Sequence, residues 1–325
     1  MDVLEAFKIE PFSSDNVAEL HEFFESQASQ GLYSFSLDTF KRVTTDDKDF
    51  NPNLSIVARD VGTGDIIAAF LLLHRRACVA VKGRKVTLKM PVLTFFAVHE
   101  ASRRKGIGSE ILQELLARRK GARDHAREEK HGFTITLRKV NVMAAPPNYI
   151  WPGLDPRYTP AYFFLKTNGF KHGGERQNLG FSIPDDMQEP PSQCDGITVT
   201  RASLGDFDAI VKFVGRHFTG FWSEEIQLAF KNDPVSAFIA KDSSGSVVGF
   251  AGHSIQFPGS FGPTGVLKSL RGKGLGGTLL KWCAFDIKNE GMNKMIIMWV
   301  EGDTMKFYAK SIGARIDQEY WTMHR

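Results

Sequence analysis

The pattern of hydrophobic and polar positions predicts the same order of strands and helices twice along the chain. In the first half, FKIEPF predicts a strand, and SSDNVAELHEFFESQA has the apolar spacing of a helix behind a Ser/Asp cap. LSIVARDVGTGDIIAAFLLLHRR then predicts two strands around a Gly-Thr-Gly turn, and VLTFFAV, from Val92 to Val98, a short apolar strand. After a glycine turn come a helix, a strand in FTITLRKVNVM and a last helix in AYFFLKTNGF.

The second half repeats this order. ITVTRA predicts a strand, SLGDFDAIVKFVGRHF a capped helix, and SAFIAKDSSGSVVGFAGHSI a hairpin, before GPTGVLKS enters a second glycine turn. A helix, a strand in MNKMIIMWV and a helix in TMKFYAKSIGA complete it. The segment SIPDDMQEPPSQCDG between the halves is rich in proline and polar residues, as linkers are. We therefore predict two copies of one domain, over residues 1–187 and 197–325, joined by a linker over 188–196.

Composition restricts the class of protein. With 325 residues, 42% of them hydrophobic and 24% charged, the chain has the composition of a globular protein large enough for two domains. The formal net charge of +4, from 41 basic and 37 acidic residues, is too small and too evenly spread to favour a nucleic-acid or membrane partner. No apolar run approaches the ~20 residues of a membrane span, and the first residues lack the pattern of a secretory signal. Three widely spaced cysteines, Cys78, Cys194 and Cys283, fit a reducing compartment, so we expect a cytoplasmic protein without a metal site.

The two glycine turns, RRKGIGSEIL and RGKGLGGTLL, share the pattern Arg-x-x-Gly-x-Gly at the start of a helix. A strand that ends in such a turn directs several backbone N–H groups and the positive end of a helix dipole at one point, which suits a phosphate or diphosphate. Residues 272–277 also satisfy Gly-x-Gly-x-x-Gly, but the dinucleotide fingerprint follows the first strand of its domain, and this copy lies late in its half. A turn that only packs a helix on a sheet is the structural alternative, and the repetition argues against it.

This order of elements around two Arg-x-x-Gly-x-Gly turns resembles the GNAT superfamily of acyl-CoA-dependent N-acyltransferases, as two tandem domains of mixed α/β fold. The resemblance implies acetyl-CoA or CoA as the bound cosubstrate, with its diphosphate on the turn amides and its pantetheine arm along the preceding strand. The implied cofactor residues of the C-terminal copy are Val266, Leu267, Arg271, Gly272, Lys273, Gly274, Leu275, Gly276, Gly277 and Thr278. Those of the N-terminal copy are Val98, Arg103, Arg104, Lys105, Gly106, Ile107, Gly108 and Ser109. A free N–H near Val266 or Leu267 would stabilise oxyanion charge on the thioester.

The same resemblance assigns catalysis to the C-terminal copy. Family members often carry, on the last helix and five residues before its closing glycine, a tyrosine that acts as the general acid. That position holds Tyr308 in the C-terminal copy and Phe164 in the N-terminal copy. Phenylalanine has no proton to donate, so we expect the N-terminal domain to be non-catalytic, either binding CoA without turnover or serving as a scaffold. Asp303 is the first candidate for the base and Glu301 the second. Both follow the strand in MNKMIIMWV, which by the resemblance splays away from its parallel neighbour at this end.

Further sequence segments indicate which class of amine is the acceptor. FGPTGVLKSLRGKGLGGTLL and YIWPGLDPRYTPAYFFLKTNGF resemble tandem GNAT proteins that include glucosamine and glucosaminide N-acetyltransferases. That resemblance implies a small-molecule amine, an amino sugar, with Trp299, Trp222 and Trp321 as candidate faces for the pyranose ring. Another amine (an aminoglycoside, a polyamine or a protein N-terminus) and a CoA-binding regulatory module without turnover remain open alternatives. The oligomeric state is not determined by the sequence.

Overall fold

The structure, a computed structural model, describes residues 7–28, 35–81, 84–125, 133–136 and 138–325. Its contacts divide the chain into two compact units, Met1–Gly174 with Trp321–Arg325, and Glu175–Tyr320. Each unit is a mixed sheet with helices on both faces, so the predicted mixed α/β fold is confirmed. Within the described residues, no helix combines the length and the apolar character that a bilayer crossing requires.

The N-terminal unit orders its strands β1-β2-β3-β4-β6, followed by the end of β14 (Arg315–His324), with β5 also on β4. Pairing is antiparallel from β1 to β4 and parallel where β4 meets β5 and β6. Its strands are β1 (Phe7–Pro11), β2 (Ser55–Asp60), β3 (Ile66–Val81), β4 (Arg84–Val98), β5 (Phe133–Thr136) and β6 (Asn141–Val142). Its helices are α1 (Val17–Gln27), α2 (Leu37–Val43), α3 (Ile107–His125) and α4 (Thr159–Thr167).

The C-terminal unit repeats this plan with the order β8-β9-β10-β11-β12-β13-β7, in which β12 and β13 form the parallel pair. Its strands are β7 (Lys171–Ser182), β8 (Gln193–Cys194), β9 (Ile197–Arg201), β10 (Ala237–Lys241), β11 (Val247–His253), β12 (Ser260–Val266), β13 (Lys294–Val300) and β14 (Arg315–His324). Its helices are α5 (Phe207–His217), α6 (Gly220–Ala229), α7 (Leu275–Asn289) and α8 (Thr304–Ile312).

Each sheet separates two apolar clusters, because successive side chains of a buried strand point to opposite faces. Along β10, Phe238 and Ala240 pack against α7 and α8, whereas Ala237 and Ile239 pack against α5 and α6. In the N-terminal unit, Val57 of β2 faces α1 and α2, and its neighbours face α3 and α4. The first two helices of each unit therefore cover one face of the sheet, and the last two cover the other.

The domain boundary follows contacts that the sequence did not indicate. The segment predicted as a linker, 188–196, contributes β8 to the C-terminal sheet, and the Trp282 indole of α7 donates to the Pro191 carbonyl at 3.1 Å. Strand β7 crosses from the first unit into the second at residues 174–175, since Gln177 to Ser182 pair with β13. Strand β14 crosses in the other direction, and its end pairs with β6 through His324 and Asn141. The last five residues thus belong to the first unit.

Candidate functional site

The glycine turn of the C-terminal unit presents a row of unused backbone donors. Within the described structure, none of the N–H groups from 272 to 277 has a hydrogen-bond partner, and the helical ladder begins with the Thr278 amide on the Gly274 carbonyl at 3.0 Å. Gly272 and Gly274 have φ of +81° and +87°, and a Cβ on Gly272 would meet nothing within 4 Å. Left-handed glycines at the start of α7 therefore leave this turn without a Cβ at two positions, so that a ligand can approach its N–H groups.

The side chains of this turn are held in specific places. Arg271 donates through Nε to the Val266 carbonyl at 3.4 Å, and Lys273 forms an ion pair with Asp195 at 3.3 Å. Leu275 is buried under the helix, so it contributes an amide and not a side chain. The Thr278 N–H is already used by the helix, and its hydroxyl lies 3.4 Å from the same Gly274 carbonyl. Thr278 therefore adds no free backbone donor to the row, and its place among the cofactor-binding residues stays a prediction.

The turn of the N-terminal unit has the same construction. Arg103 donates through Nε to the Val98 carbonyl at 2.9 Å, as Arg271 does to Val266. Among the described residues, the N–H groups from 104 to 108 have no partner, and Ser109 starts the helical ladder on the Gly106 carbonyl at 3.0 Å. Arg104, with φ of +61°, occupies the left-handed position that Gly272 has in the other copy. The Ser109 hydroxyl accepts from Asn168, so it too is engaged.

The two central strands of the C-terminal unit separate close to this turn. Strands β12 and β13 pair only at Ser260–Ile296 and Phe261–Ile297, after which Gly262 and Pro263 follow in β12. Proline has no N–H for a ladder, and the register of β11 and β12 also shifts here, between Ala251 and His253. The remainder of β12 therefore pairs with β11 alone, which leaves one of its edges open.

Which amides face the open edge follows from the ladder. The Leu267 N–H donates to the Val248 carbonyl at 2.9 Å, so it is not the free oxyanion donor that the sequence suggested. Because successive N–H groups of a strand point in opposite directions, the Val266 and Thr264 amides face away from β11. Of the two predicted oxyanion donors, Leu267 has its N–H engaged with β11, and Val266 stays a prediction.

Tyr308 lies in the apolar cluster behind the point where the strands separate. Its ring packs at 6.0 Å from the Phe261 ring and 5.0 Å from the Phe307 ring, and the residue is buried. Within the described residues, its hydroxyl has no hydrogen-bond partner, and burial raises the pKa of that hydroxyl well above its usual value of 10. The hydroxyl is therefore protonated at neutral pH, and its raised pKa makes it a weaker acid than an exposed tyrosine.

The residue of the N-terminal unit that corresponds to Tyr308 lies one position after Phe164, the residue predicted from the sequence. Phe164 lies where a Cβ on Gly108 would approach its ring to 3.2 Å, and Phe307 lies in the same way over Gly276, at 3.4 Å. By these contacts Phe164 corresponds to Phe307, and the fully buried Leu165 corresponds to Tyr308. The offset arises because Gly313 caps α8 directly, whereas Asn168 stands between α4 and Gly169. Leucine, like phenylalanine, has no proton to donate.

The two carboxylates predicted at the end of β13 differ in their surroundings. Glu301 forms an ion pair with Arg176 at 2.6 Å and accepts the Trp299 indole N–H at 3.1 Å. Asp303 is the exposed N-cap residue of α8 and its side chain makes no capping bond. Both lie on the surface, and neither is drawn into the cluster that holds Tyr308.

A buried carboxylate that was not among the residues predicted from the sequence lies on α6. Glu225 is fully enclosed, its Oε1 accepts from the buried Gln256 amide at 2.7 Å, and burial raises its pKa to about 7. The Gln256 backbone N–H donates to the hydroxyl of Ser260, at the start of β12, at 3.1 Å. The available sequence signal was a glutamate within the apolar stripe of a helix, beside Ile226 and Ala229. A group that titrates near neutrality is suited to general base catalysis.

The three candidate tryptophans lie in different places. Trp222 of α6 stacks on Phe218 at 5.6 Å, and Phe218 covers Gly265 of β12 so closely that a Cβ there would come to 2.4 Å. Trp299, with φ of +51°, lies at the bulge near the end of β13, where its N–H donates to Asn178. Trp321 belongs to the N-terminal unit and packs on Tyr162 at 4.9 Å, so its predicted place in the C-terminal domain is wrong.

Comparison with known proteins defines the class. Residues 207–314 match the model of the Acetyltransferase (GNAT) family, and no curated protein sequence matches the chain. A GCN5-related glucosamine N-acetyltransferase region of a fungal multi-domain GH3 β-N-acetylglucosaminidase is 19% identical with a TM-score of 0.70, over 98% of this chain and 38% of that one. The chain therefore spans well under half the length of that protein.

Two further structures match over nearly the whole of both chains. A GCN5-related N-acetyltransferase from Sphaerobacter thermophilus is 18% identical with a TM-score of 0.69, over 98% of this chain and 95% of that one. A tandem GNAT protein from the clavulanic acid biosynthesis pathway is 15% identical with a TM-score of 0.62, over 98% of each chain.

The fold is accordingly that of tandem GNAT proteins, and residues 207–314 form a domain of the acetyltransferase (GNAT) family. The resemblance drawn from the sequence is confirmed in the fold, which this chain shares with tandem GNAT proteins, and in the match of residues 207–314 to the GNAT family model.

Proposed function

We propose that the chain transfers the acetyl group of acetyl-CoA to the primary amine of an amino sugar, by direct attack in a ternary complex at the C-terminal unit. One observation carries the proposal, namely the row of unpartnered amides from 272 to 277 next to the open edge of β12. Backbone donors at a helix N-terminus fit a diphosphate, and an open strand edge fits the amides of a pantetheine arm.

The residues around this edge supply the remaining chemistry. The Val266 and Thr264 amides face the gap and would stabilise the charge that develops on the thioester oxygen as the amine attacks. When the tetrahedral adduct collapses, the C–S bond breaks and the thiolate takes a proton. Tyr308 is our candidate for the donor of that proton. Its ring packs edge-on against Phe261, the last residue of β12 that pairs with β13 before the strands separate.

The attacking amine must lose a proton, and Glu225 is better suited to accept it than Asp303 or Glu301. Asp303 is exposed to water, and Glu301 is neutralised by Arg176. Glu225 is buried, has a pKa of about 7, and is linked through Gln256 to the start of β12. The sequence-based candidate Asp303 becomes the comparison in the test.

Glu225→Gln is expected to lower kcat by about 100-fold and to remove the acidic limb, near pH 7, from the profile of kcat/KM. It also has a stability signature. The folded pKa lies above the unfolded value near 4.5, so the native protein loses stability between pH 4.5 and 7, by about 3 kcal/mol from this group. Denaturant unfolding at pH 5 and at pH 8 measures this effect. The free energy of unfolding of the variant, relative to that of the native protein, should be higher at pH 8 than at pH 5.

Glu224→Gln and Asp303→Asn are the matched controls for this experiment. The first changes the neighbouring glutamate of the same helix and should leave both the pH profile and the stability difference unchanged. If Asp303→Asn removes the acidic limb and Glu225→Gln does not, the base is Asp303.

The amino-sugar acceptor rests on two supports. The structural match to a protein described as a glucosamine N-acetyltransferase region is one. The other is the stacked pair of Trp222 and Phe218 over Gly265 of β12, which offers a flat apolar face beside the open edge. The amine of an amino sugar also titrates nearer neutrality than a lysine side chain, so a base with a pKa near 7 suffices.

Trp222→Ala is expected to raise KM for the amino sugar by about tenfold, while KM for acetyl-CoA stays within twofold. Loss of ~55 Å² of apolar contact at ~25 cal/mol per Å² corresponds to this factor. Steady-state kinetics with each substrate varied in turn provide the measurement. Trp321→Phe, in the N-terminal unit, is the control, and an equal rise in that variant would remove Trp222 from the acceptor site.

Thiol release from acetyl-CoA in the presence of different amines tests the proposed function as a whole. Glucosamine should give the highest kcat/KM in a panel with an aminoglycoside, a polyamine and a peptide with a free N-terminus. A higher value for another amine would replace the acceptor and keep the transferase. Binding of acetyl-CoA without turnover of any amine would leave a CoA-binding module in its place.

A further inference from the structure

A cluster of ionisable side chains lies in the C-terminal unit, away from the glycine turn. His253 ends β11, Asp286 lies on α7, and Glu290 is the C-cap residue of that helix. One nitrogen of the imidazole and one oxygen of each carboxylate all lie within 4.8 Å of one another, and His253 and Asp286 are buried. Asp286 stands ~16 Å along α7 from Leu275, the first residue of the helix, at 1.5 Å per residue. The cluster is therefore separate from the proposed acetyl-CoA site.

Hydrogen bonds around Ser254 indicate which ring nitrogen of His253 carries a proton. The Ser254 hydroxyl donates to Glu290 Oε2 at 3.2 Å and accepts the Gly259 N–H, also at 3.2 Å. Its one proton is therefore used, so toward His253 Nδ1, at 3.2 Å, the hydroxyl acts as an acceptor. Nδ1 accordingly carries the proton, and Nε2 of the neutral ring keeps a lone pair.

The lone pair of His253 Nε2 faces a carboxylate. Nε2 lies 2.9 Å from Asp286 Oδ2, yet within the described residues this buried nitrogen has no hydrogen-bond partner. The oxygen thus lies off the direction in which a ring N–H would point. A metal ion bound to both atoms does not need them in line, because bonds of ~2.1 Å and a separation of 2.9 Å give an angle of about 90° at the ion. The arrangement suits a shared metal ion better than a shared proton.

The charges around the cluster are also compatible with a cation. Arg201, at the end of β9, donates through Nη1 to Asp286 Oδ2 at 2.6 Å and through Nη2 to Oδ1, which fixes the carboxylate. A carboxylate oxygen has two lone pairs, so Oδ2 can accept from arginine and still bind an ion. Since the guanidinium neutralises Asp286, Glu290 supplies the further negative charge. Its side chain is 34% exposed, which provides a route from solvent.

We propose that His253, Asp286 and Glu290 bind one divalent first-row transition-metal ion, of which Zn²⁺ is the representative. One imidazole nitrogen with carboxylate oxygens suits such an ion, whereas Mg²⁺ and Ca²⁺ prefer oxygen ligands throughout. The ion joins the end of β11 to the end of α7, so its role is to stabilise the C-terminal unit. This departs from the expectation of a protein without a metal site, which was drawn from the spacing of the cysteines. The proposal does not rest on the proposed function.

Equilibrium dialysis of the full chain against Zn²⁺, after treatment with a chelator and its removal, tests the site. We expect one saturable equivalent that depends on this cluster. At a free Zn²⁺ concentration of about 100 times Kd, the equilibrium constant of unfolding should fall by about 100-fold. Glu290→Gln, at the exposed ligand, should weaken binding by at least about 30-fold and remove most of this stabilisation. The visible absorption of bound Co²⁺, which reports its coordination, should be lost in the same variant.

His217→Gln and Asp208→Asn are the matched controls, because they remove an exposed histidine and an exposed carboxylate of α5 in the same unit. Both should bind Zn²⁺ as the native protein does. His253→Gln is the second ligand variant and should lose binding as Glu290→Gln does. No saturable binding of Zn²⁺ by the native protein, native affinity in Glu290→Gln, equal losses in the controls, or an affinity for Mg²⁺ equal to that for Zn²⁺ would each overturn the proposal. None of these measurements uses acetyl transfer, so the proposed function is judged separately.

Discussion

Gly274→Asp is expected to raise KM for acetyl-CoA by more than about 100-fold in the amine acetylation assay. The residue has φ of +87° at the start of α7, a conformation that aspartate and asparagine tolerate better than other side chains. The added carboxylate would stand beside the row of N–H groups that is proposed to hold the diphosphate. Two like charges ~4 Å apart repel by about 4 kcal/mol at a protein surface, which exceeds the ~2.7 kcal/mol of a 100-fold change.

Gly274→Asn is the matched control, since it has the same shape and the same tolerance of the left-handed conformation without the charge. It should change KM by no more than a few-fold. Equal losses in both variants would mean that shape, not charge, matters at this position. A normal KM in the aspartate variant would remove the turn from the binding of acetyl-CoA.

Tyr308→Phe is expected to lower kcat by about 100- to 1,000-fold with KM for acetyl-CoA nearly unchanged. The ring keeps its contacts with Phe261 and Phe307, so the fold and the thioester position should be preserved. Because burial raises the pKa of the Tyr308 hydroxyl, the native enzyme retains this proton well above neutral pH. A thioester with a more acidic thiol needs less help in leaving, and the variant should recover much of its rate with such a substrate.

Tyr320→Phe provides the comparison for this substitution, because Tyr320 is also a buried tyrosine of the C-terminal unit. Its kcat should remain within a few-fold of native. A Tyr308→Phe variant with native kcat, or one whose deficit does not depend on the leaving thiol, would exclude proton donation by Tyr308.

Local patterns in the sequence were sufficient for the repeat and for the two turns. Ser13 with Asn16, and Ser203 with Asp206, form the same capping box before the first helix of each unit, and both boxes are visible as short polar runs. The turns were recognisable because Gly106 and Gly274 need left-handed φ, which few other residues adopt. Such features depend on neighbouring residues alone.

Features that depend on distant contacts were missed. Strands β7 and β14, KHGGERQNLGFS and RIDQEYWTMH, are too polar to show a clear strand period, and nothing local tells that each crosses from one unit to the other. The free Val266 amide and the engaged Leu267 amide are distinguished only by the pairing with β11. Glu225 was overlooked because its raised pKa comes from burial among residues far away in the sequence.

Isothermal titration of the native and Gly274→Asp proteins with acetyl-CoA measures most directly whether the turn at 271–277 holds the diphosphate. We expect the native protein to bind acetyl-CoA saturably and the variant to bind one equivalent less. Absence of binding to the native protein, or identical stoichiometry and affinity in the two proteins, would contradict an acetyl-CoA site at this turn.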